Sequence, residues 1–357
     1  MTTAQRAAIL ARAAQSFPLL GPVTTEELID LVRLELGHAE ILDGFRPYAG
    51  GFSHAVPDDP LLHVISGNTP HAGLQSLVRG LLLGAHNFVK LPSGGLREIE
   101  DLIKLLPASL ASKVVTAVDL PDQWLSESRT CIVFGSDATI AHFRQRLPVE
   151  TSFEAHPHRI SLAIVFEDTG DSASLAATDV ARFNQKGCLS PHDIYVAGDA
   201  KSYAARLANA LAQFERQDPR GEITVLEVAE IVDTRASYRF RSASDARVAL
   251  WESEHSTAWT VIYEQDPWFA SSCLNRLVFV KPLPGDLAGA LGPALPWVAA
   301  IGIWPVTPEN AKHAAGLNPS RICPLGQMQS PPLSWHQEGR QTLAPLVRWV
   351  DFETNLR

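Results

Sequence analysis

Cys188 is the residue with the clearest chemical potential, because it lies between a predicted helix and a predicted strand. Apolar spacing predicts the helix over residues 174–182, and alternating β-branched residues predict the strand over 192–196. Gly187 is expected to relieve the steric limit at this turn, and Pro191 to prevent the helix from continuing. A thiol held there has the fixed position and partial exposure of a nucleophile. The alternative is an inert, buried structural cysteine.

Further polar residues follow predicted strands, where ligands bind in open parallel sheets. Asn68 can donate its amide to an oxyanion, although a helix cap is the ordinary role of asparagine in this setting. Lys90 ends a buried-looking strand, where a lone lysine is costly unless an anionic group meets it. The alternative is a lysine whose ammonium group reaches back to solvent. Ser93 adds a hydroxyl nearby, which suits a phosphate or ribose. Gly135 and Ser136 precede a helix and give a weak anion-site signal.

Composition excludes several classes of protein. With 357 residues, of which 46% are apolar, the chain can build a large core, and its length suggests two domains. A net charge of −9 without a Lys/Arg run argues against nucleic-acid binding. The four cysteines are far apart and lack C-x-x-C spacing, which argues against a metal site and fits a reducing compartment.

No segment has the pattern of a signal peptide or a membrane span. Residues 1–17 are alanine-rich and contain Arg6 and Arg12, so they are predicted as a helix without the apolar core of a signal peptide. The longest apolar run, 291–306, is interrupted by prolines and is too short to cross a bilayer. These features predict a soluble, cytoplasmic protein.

The first half of the chain alternates strands and helices. Strands are predicted over 61–65, 87–91, 113–118, 130–134 and 160–166, with amphipathic helices between most of them. Such β-α units in succession predict a doubly wound parallel sheet. No G-x-G-x-x-G occurs, so the usual dinucleotide fingerprint is absent.

The segment after Cys188 is predicted to form a second α/β lobe. Helices are expected over 201–214 and 223–230, followed by a β-rich stretch from 258 to 282. The proline- and glycine-rich stretch 285–308 is expected to hold a loop over the cleft. Its two tryptophans, Trp297 and Trp304, suit either core packing or an apolar acyl site.

Several stretches together resemble the aldehyde dehydrogenase superfamily, and most closely its LuxC-type acyl-CoA reductases. This is the reductase component of the bacterial fatty-acid reductase complex. The matching stretches run from about residue 61 to the end of the chain: 63–70, 87–93, 133–136, 184–191, 321–326 and 331–336. The stretches around the cysteine and Asn68 are specific together, whereas the Gly135-Ser136 turn alone is weak.

The resemblance implies a role for each candidate residue. Cys188 would be the nucleophile, and Asn68 would donate to the oxyanion together with the backbone amide of Cys188. Lys90 and Ser93 would hold the adenosine ribose or its 2′-phosphate. Gly135-Ser136 would lie near the pyrophosphate of a bound NADP(H), and no metal is implied.

One departure from the superfamily pattern affects the reaction direction. Aldehyde-oxidising members carry a glutamate that activates the deacylating water, and His156 stands at that position here. Glu154 is close but out of register. The resemblance therefore implies thioester reduction more than hydrolytic aldehyde oxidation, unless the His156 imidazole acts as the base.

Taken together, these features predict an aldehyde-dehydrogenase-like α/β enzyme of two domains. Residues 1–168, joined by 325–357, would bind the cofactor, and 169–324 would carry the cysteine. The expected reaction is reduction of an acyl-CoA or acyl-protein thioester by NADPH to a fatty aldehyde. Alternatives are an aldehyde or semialdehyde dehydrogenase, a nicotinamide-independent acyltransferase or thioesterase, and an inactive acyl-binding scaffold. The family pattern suggests an acyl-supplying protein partner and leaves a homo-oligomer open.

Overall fold

The computed structural model describes residues 1–17, 20–21 and 23–354. They form two compact units. The first contains the described parts of Met1–His158 and Ser330–Arg357, and the second is Arg159–Gln329. The sequence placed the domain boundaries after residues 168 and 324, whereas the compact units divide after residues 158 and 329. The first boundary lies ten residues earlier than predicted because the strand that begins at Ile160 pairs within the sheet of the second unit.

The strands are numbered in chain order. They are β1 (Arg46–Tyr48), β2 (Gly51–Pro57), β3 (Leu61–Val64), β4 (Asn87–Lys90), β5 (Val114–Ala117), β6 (Thr130–Phe134), β7 (Ser152–His156), β8 (Ile160–Val165), β9 (Pro191–Val196), β10 (Val248–Glu252), β11 (Thr260–Glu264), β12 (Leu277–Pro282), β13 (Val298–Trp304), β14 (Arg321–Pro324) and β15 (Val347–Glu353).

The helices are numbered in the same way. They are α1 (Thr3–Ala14), α2 (Thr25–Leu36), α3 (Pro70–Leu83), α4 (Arg97–Leu105), α5 (Ala108–Ala111), α6 (Asp122–Glu127), α7 (Asp137–Arg146), α8 (Ser172–Ala181), α9 (Ala200–Gln217), α10 (Val225–Ser242), α11 (Leu287–Leu291) and α12 (Pro308–Ala315). Within the described residues, no helix is long and apolar enough to cross a membrane.

A parallel five-stranded sheet forms the centre of the first unit, in the order β5-β4-β3-β6-β7. Successive side chains of a strand point to opposite faces, so both faces of this sheet can be covered. Leu61 belongs to one apolar cluster with residues of α1 to α5, and Leu62 belongs to another with Trp124 and Phe143. Helices therefore pack on both faces, which confirms the predicted doubly wound architecture.

A separate three-stranded antiparallel sheet, in the order β1-β2-β15, also belongs to the first unit. It brings the last described strand beside a hairpin near the start of the chain. The rings of Phe52 and Phe352 stack across β2 and β15 with centroids 6.3 Å apart. The sequence analysis did not predict this sheet, because its strands have almost no fully buried residues and so lack a clear alternation of apolar and polar side chains.

The second unit is built on a seven-stranded sheet, in the order β10-β11-β12-β9-β8-β13-β14. All neighbouring strands are parallel except β10 and β11. The central strands β8 and β9 are buried along their whole length. A second α/β lobe was predicted, and the sheet places the strand that follows Cys188 at its centre.

Two predictions for this unit need correction. The stretch 285–308, expected to be a loop over the cleft, contains α11, a short 3₁₀ segment and the buried strand β13 between β8 and β14. Pairing with strands on both sides stabilises β13. The prolines of the stretch lie before and after this strand, so they do not interrupt its hydrogen bonds. The helix expected over 223–230 runs from Val225 to Ser242. Its second half was missed because only Ile231 and Arg235 are buried along it, so the helical periodicity of apolar residues is weak.

Candidate active site

A left-handed turn directly precedes Cys188, between α8 and β9. Phe183, Asn184 and Gln185 have φ values of 55°, 54° and 61°. The prediction that Gly187 relieves the steric limit of this turn is wrong, because Gly187 is not among the residues with positive φ. A residue with a Cβ adopts the left-handed backbone conformation at an energetic cost, so surrounding contacts must stabilise the turn.

Two hydrogen bonds hold the left-handed turn. The buried Gln185 side chain donates from Nε2 to the Pro191 carbonyl oxygen at 2.9 Å, which closes the turn on the start of β9. The Asn184 carbonyl accepts from the backbone N–H of Asn275 at 3.0 Å. Asn275 is itself left-handed, with φ 56°, so two strained turns are joined. Such strain persists where neighbouring structure over-determines the backbone, as it does at many active sites.

Ser161 fixes the backbone of Cys188 to the central sheet. Its Oγ donates to the Cys188 carbonyl oxygen at 2.7 Å and accepts from the Ala300 N–H at 3.2 Å. The Ser161 side chain is buried, and hydrogen bonds to buried groups are costly to break. The cysteine is therefore held from β8 and β13, which lie beside each other in the sheet.

An ion pair ties the cysteine turn to α10. Lys186 comes two residues before Cys188, and its Nζ lies 2.6 Å from Glu227 Oε1. The same carboxylate caps α10 by accepting from the Thr224 N–H, and Asn275 Nδ2 donates to it at 3.3 Å. These bonds, led by the one from Lys186, lower the pKa of Glu227 to about 2. The carboxylate therefore stays ionised throughout the neutral range.

Burial disfavours the thiolate form of the other three cysteines. Burial raises the pKa of Cys131 and of Cys323 to about 12, and burial also raises the pKa of Cys273. The thiolate is the nucleophilic form of cysteine, so these thiols are poor nucleophiles at neutral pH. Cys188 is half-buried in its turn. The structure thus leaves Cys188 as the strongest candidate nucleophile.

The remaining candidate residues gather at one edge of the first unit's sheet. Asn68 follows β3, Lys90 ends β4, and Gly135 follows β6. Val64 pairs with Lys90 on one side and with Val133 on the other, so the three strands end side by side. This is the carboxyl edge, where open parallel sheets bind ligands. Cys188, by contrast, belongs to the second unit.

Asn68 does not cap a helix. The N-cap of α3 is Thr69, which makes no side-chain capping bond, and Pro70 occupies the first helical position. Asn68 is exposed, and its amide makes no hydrogen bond within residues 1–17, 20–21 and 23–354. The ordinary role that the sequence favoured for this asparagine is therefore absent. Its two N–H donors remain available to a ligand.

Lys90 also lacks a protein counter-charge. It is half-buried, and no carboxylate of the described chain lies within salt-bridge distance of its ammonium group. Its carbonyl accepts from the Ile65 N–H at 3.0 Å, which fixes the end of β4. A Cβ at Gly67 would lie 3.2 Å from the Pro92 side chain, so the loops after β3 and β4 approach closely. Ser93, next in the chain, is exposed.

Ser136 is the N-cap of α7. Its Oγ accepts from the Thr139 N–H at 3.3 Å. A Cβ at Gly135 would lie 3.0 Å from the Thr139 side chain, which explains a glycine there. Asp137 in the first turn adds negative charge, which disfavours a second anion at this helix start. The capping role of Ser136 is therefore established, and its place near a pyrophosphate stays a prediction.

His156 ends β7 and is held on two sides. Its ring stacks on Phe134 with centroids 4.5 Å apart and an interplanar angle of 10°. Its Nδ1 lies 3.0 Å from Glu338 Oε1. Glu338 has φ 56° and comes from the returning C-terminal segment of the first unit. A carboxylate at Nδ1 fixes the ring and leaves Nε2 to face other groups.

A small cavity with both polar and apolar lining residues lies beside His156. Its volume is about 30 Å³, and its lining includes His156, Arg79, Arg340 and Thr342. Arg79 donates to Gln337 Oε1 at 3.1 Å, and burial lowers the pKa of its guanidinium to about 10. The space suits a water molecule, since a buried water needs polar partners and about this much room. An acyl chain or a nucleotide does not fit in it.

The sequence analysis missed Ser161, Glu227 and Glu338. Glu227 had a readable signal, since Thr224-x-x-Glu227 is a capping box at the start of α10. Ser161 and Glu338 had none. Ser161 reaches Cys188 across 27 positions, and Glu338 reaches His156 across 182. Contacts of this kind depend on the fold and leave no local pattern.

A family model for acyl-CoA reductase (LuxC) matches residues 5–349 of the chain, which is nearly its whole length. The chain belongs to the LuxC acyl-CoA reductase family. The fatty acyl reductase function predicted from the sequence is thereby supported, and so is the assignment as an oxidoreductase.

Curated relatives of this LuxC-family chain are named as reductases. The long-chain acyl-protein thioester reductase 2 of Photobacterium leiognathi is 22% identical over 343 residues, which covers 91% of this chain and 70% of the relative. The long-chain acyl-protein thioester reductase of Photobacterium phosphoreum is 25% identical over 345 residues, covering 91% and 69%.

Solved structures similar to this LuxC-family chain are aldehyde dehydrogenases. The gamma-glutamyl-gamma-aminobutyraldehyde dehydrogenase of Burkholderia cenocepacia has a TM-score of 0.69 at 15% identity, covering 100% of this chain and 85% of that one. The NAD-dependent benzaldehyde dehydrogenase of Corynebacterium glutamicum has a TM-score of 0.66 at 13% identity, covering 99% and 86%. At these identities the likeness shows the fold, which confirms the predicted aldehyde-dehydrogenase-like class. Together with the family, the fold implies a nicotinamide cofactor.

Proposed function

We propose that the protein reduces a long-chain acyl-CoA or acyl-protein thioester to a fatty aldehyde through a thioacyl intermediate on Cys188. The observation that carries this proposal is the strained, doubly anchored turn that holds Cys188, together with the raised pKa values of the other three thiols. The names of the relatives support a long-chain acyl substrate.

The first step is acyl transfer. The Cys188 thiolate attacks the thioester carbonyl, the new C–S bond forms, and the bond to the CoA or protein thiol breaks. The leaving thiolate takes a proton from solvent. The Asn68 amide donates to the oxyanion, in company with the backbone amide of Cys188. Such a donor acts where negative charge develops, so it contributes more to the rate than to binding.

The second step is reduction. When bound, NADPH supplies the hydride that reduces the thioacyl carbonyl carbon. Collapse of the resulting thiohemiacetal breaks the bond to sulfur, releases the aldehyde and restores the Cys188 thiolate. The thiolate is a good leaving group because thiols ionise readily.

Residues at the carboxyl edge of β3, β4 and β6 fit a nicotinamide dinucleotide. The half-buried Lys90 ammonium has no carboxylate partner in the described chain, and an anionic group there would offset its burial. Lys90 and Ser93 would hold the 2′-phosphate of the adenosine ribose, which favours NADPH. Gly135 and Ser136 would lie near the pyrophosphate.

His156 sets the direction of the reaction. Glu338 and Phe134 fix the His156 ring. The carboxylate on β7, Glu154, lies two positions before His156 and so does not stand at the position of the water-activating glutamate. We therefore assign the protein to reduction. Transfer of the acyl group to a thiol needs less assistance than hydrolysis, because a thiol ionises more readily than water and is the better nucleophile.

We propose a protein partner as the source of acyl groups because the relatives are named acyl-protein thioester reductases. We propose the cytoplasm as its compartment because four cysteines without disulfides suit a reducing environment.

The decisive experiment incubates the protein with a long-chain acyl-CoA and NADPH, and follows NADPH absorbance and aldehyde formation together. Equal loss of NADPH and gain of aldehyde, absent in Cys188→Ala, is the expected result. Release of CoA without NADPH oxidation would instead identify a thioesterase or acyltransferase. Binding of acyl-CoA with neither reaction would identify an acyl-binding scaffold.

A further inference from the structure

Ser190 closes the turn that carries Cys188. Its N–H donates to the Gly187 carbonyl oxygen at 2.9 Å, so Cys188 and Leu189 are the two central residues of a four-residue turn. Leu189 and Ser190 are buried, whereas Cys188 is half-buried. The direction of the Cys188 backbone N–H and of its thiol therefore depends on how Ser190 is held.

Gln329 holds Ser190 from a distant part of the sequence. Its Nε2 donates to Ser190 Oγ at 2.9 Å and to the Asp179 carbonyl oxygen at 3.3 Å. Asp179 belongs to α8, which precedes Cys188, and Ser190 follows it. One buried amide group thus joins the segments on both sides of Cys188, and all these residues belong to the second unit.

The segment that carries this glutamine, residues 325–329 after β14, is itself firmly held; we call it the β14 loop. The two carboxyl oxygens of Asp179 accept from the Gly326 N–H at 2.6 Å and from the Met328 N–H at 2.9 Å. Arg321 donates from Nη1 to the Met328 carbonyl oxygen at 2.7 Å. Met328 is fully buried. The last side chain of the loop therefore reaches the cysteine turn from a fixed base.

The amide oxygen of Gln329 has no comparable partner. Oε1 is buried and accepts no hydrogen bond within the described part of the chain. An unpaired buried carbonyl costs about as much stability as the two donated hydrogen bonds contribute. The net contribution of Gln329 to folding is therefore small. What its side chain supplies is geometry, because its Nε2 bonds fix Ser190.

We propose that Gln329 is a positioning residue for Cys188, which acts through Ser190. The inference rests on the proposed acyl transfer to the cysteine. By fixing the residue that closes the turn, Gln329 keeps the Cys188 N–H directed at the oxyanion while the thiolate attacks the same carbonyl carbon. Negative charge develops on that oxygen in the transition state, so the effect falls on the rate of acyl transfer and not on acyl-CoA binding.

Gln329→Met tests the role, because methionine has a similar size and no donor. The rate of acyl transfer, measured as CoA release in a single turnover, should fall about tenfold, the equivalent of one hydrogen bond. The affinity for acyl-CoA should stay within about twofold of wild type, because ground-state binding does not use the oxyanion donor. Gln327→Met is the matched control, since this glutamine of the β14 loop is exposed, and it should react like wild type. Normal acyl transfer in Gln329→Met, or an equal loss in Gln327→Met, overturns the proposal.

A double-mutant cycle tests the route through Ser190. Ser190→Ala removes the acceptor, so it should slow acyl transfer by the same factor as Gln329→Met, and the double variant should be no slower than either single variant. Two effects that multiply would show independent routes and contradict the proposal. The double variant leaves neither side chain with an unpaired group, so its urea midpoint should match that of the wild type. A lower midpoint that accompanies the lost activity would show a structural role instead.

Alkylation with iodoacetamide separates positioning from loss of the thiol. This reaction needs an accessible Cys188 thiolate but no oxyanion donor, so its rate should agree within about twofold between the wild type and Gln329→Met. Alkylation that slows as much as acyl transfer would overturn the proposal. A wild type that is alkylated at Cys188 but accepts no acyl group from acyl-CoA would refute the proposed function and this inference with it. A wild type and a Gln329→Met variant that both transfer normally would refute this inference alone.

Discussion

His156 and Glu338 form a hydrogen-bonded pair, with Nδ1 and Oε1 3.0 Å apart, in the first unit. The pair joins the end of β7 to the returning C-terminal segment. His156 stands where aldehyde-oxidising relatives are expected to carry their water-activating glutamate. On the resemblance, a fixed imidazole would replace a carboxylate there, which would bear directly on the fate of the proposed thioacyl enzyme.

We predict that the protein oxidises aldehydes poorly unless CoA accepts the acyl group. Hydrolysis needs a base that activates water, whereas a thiol ionises readily and attacks without such help. The measurement is NADPH production from a long-chain aldehyde and NADP⁺, with and without CoA. Robust turnover without CoA that is lost in both His156→Ala and Glu338→Gln would show that the pair acts as a hydrolytic base, against this prediction.

Cys188→Ala should abolish reduction and leave the fold intact. The turn that carries the thiol is held by hydrogen bonds from the Ser161 and Gln185 side chains to backbone carbonyls, which the substitution keeps, so far-ultraviolet circular dichroism should not change. Mass spectrometry of the wild type after exposure to acyl-CoA should show one acyl adduct, on the peptide that contains Cys188. Cys273→Ala serves as the control and should retain the adduct. An adduct on Cys131, Cys273 or Cys323 would refute the assignment.

Asn68→Ala should lower kcat about 10²-fold to 10³-fold, the usual cost of one oxyanion donor. Stability should change by no more than about 0.5 kcal/mol, because Asn68 is exposed and makes no capping bond. Thermal unfolding and steady-state kinetics on the same preparation separate the two effects. Asn68→Asp keeps the shape but cannot donate, so it should be equally impaired. Near-normal turnover in either variant argues against the oxyanion role.

Lys90→Ala should raise the KM for NADPH about tenfold, which corresponds to the loss of one charge-assisted hydrogen bond. The KM for NADH should rise less, because NADH lacks the 2′-phosphate. Lys104→Ala is the control, since that lysine is exposed on α4 and pairs with Asp101. Equal increases for both cofactors would mean that Lys90 contacts a ribose hydroxyl and does not recognise the phosphate.

His63 should make stability depend on pH between about 6.5 and about 4. It is fully buried in β3, with Nδ1 2.7 Å from Ser76 Oγ and Nε2 3.0 Å from Asn87 Oδ1. Burial lowers its pKa to about 4. The unfolded chain therefore binds a proton at higher pH than the folded chain does, and stability falls as the pH is lowered through this window. Between pH 6.5 and pH 4, the free energy of unfolding decreases by about 3 kcal/mol because of this group.

His63→Gln tests this dependence, because glutamine keeps a donor and an acceptor but does not titrate. Urea unfolding at pH 7 and pH 5 should show a smaller difference for the variant than for the wild type. An unchanged difference would assign the acid sensitivity of the protein to other groups.

Much of the fold follows from local patterns. The strands that became β3, β4 and β6, and the turns after them, were predicted because alternation, helical spacing and turn residues act within about ten positions. For the same reason Asn68 and Lys90 were expected at strand ends, and the structure places both there. The resemblance around Cys188 supplied the family, which no periodicity could have supplied.

Tertiary structure decided the remainder. The sequence predicted a loop over 285–308, but β13 forms there because β8 and β14 offer hydrogen-bonding partners on both sides. The left-handed residues fall at 183–185, before Gly187, because contacts with Pro191 and Asn275 hold them against their intrinsic preference. Local propensity is worth only tenths of a kcal/mol to about one per residue, so partners distant in sequence override it wherever burial and hydrogen bonding demand another conformation.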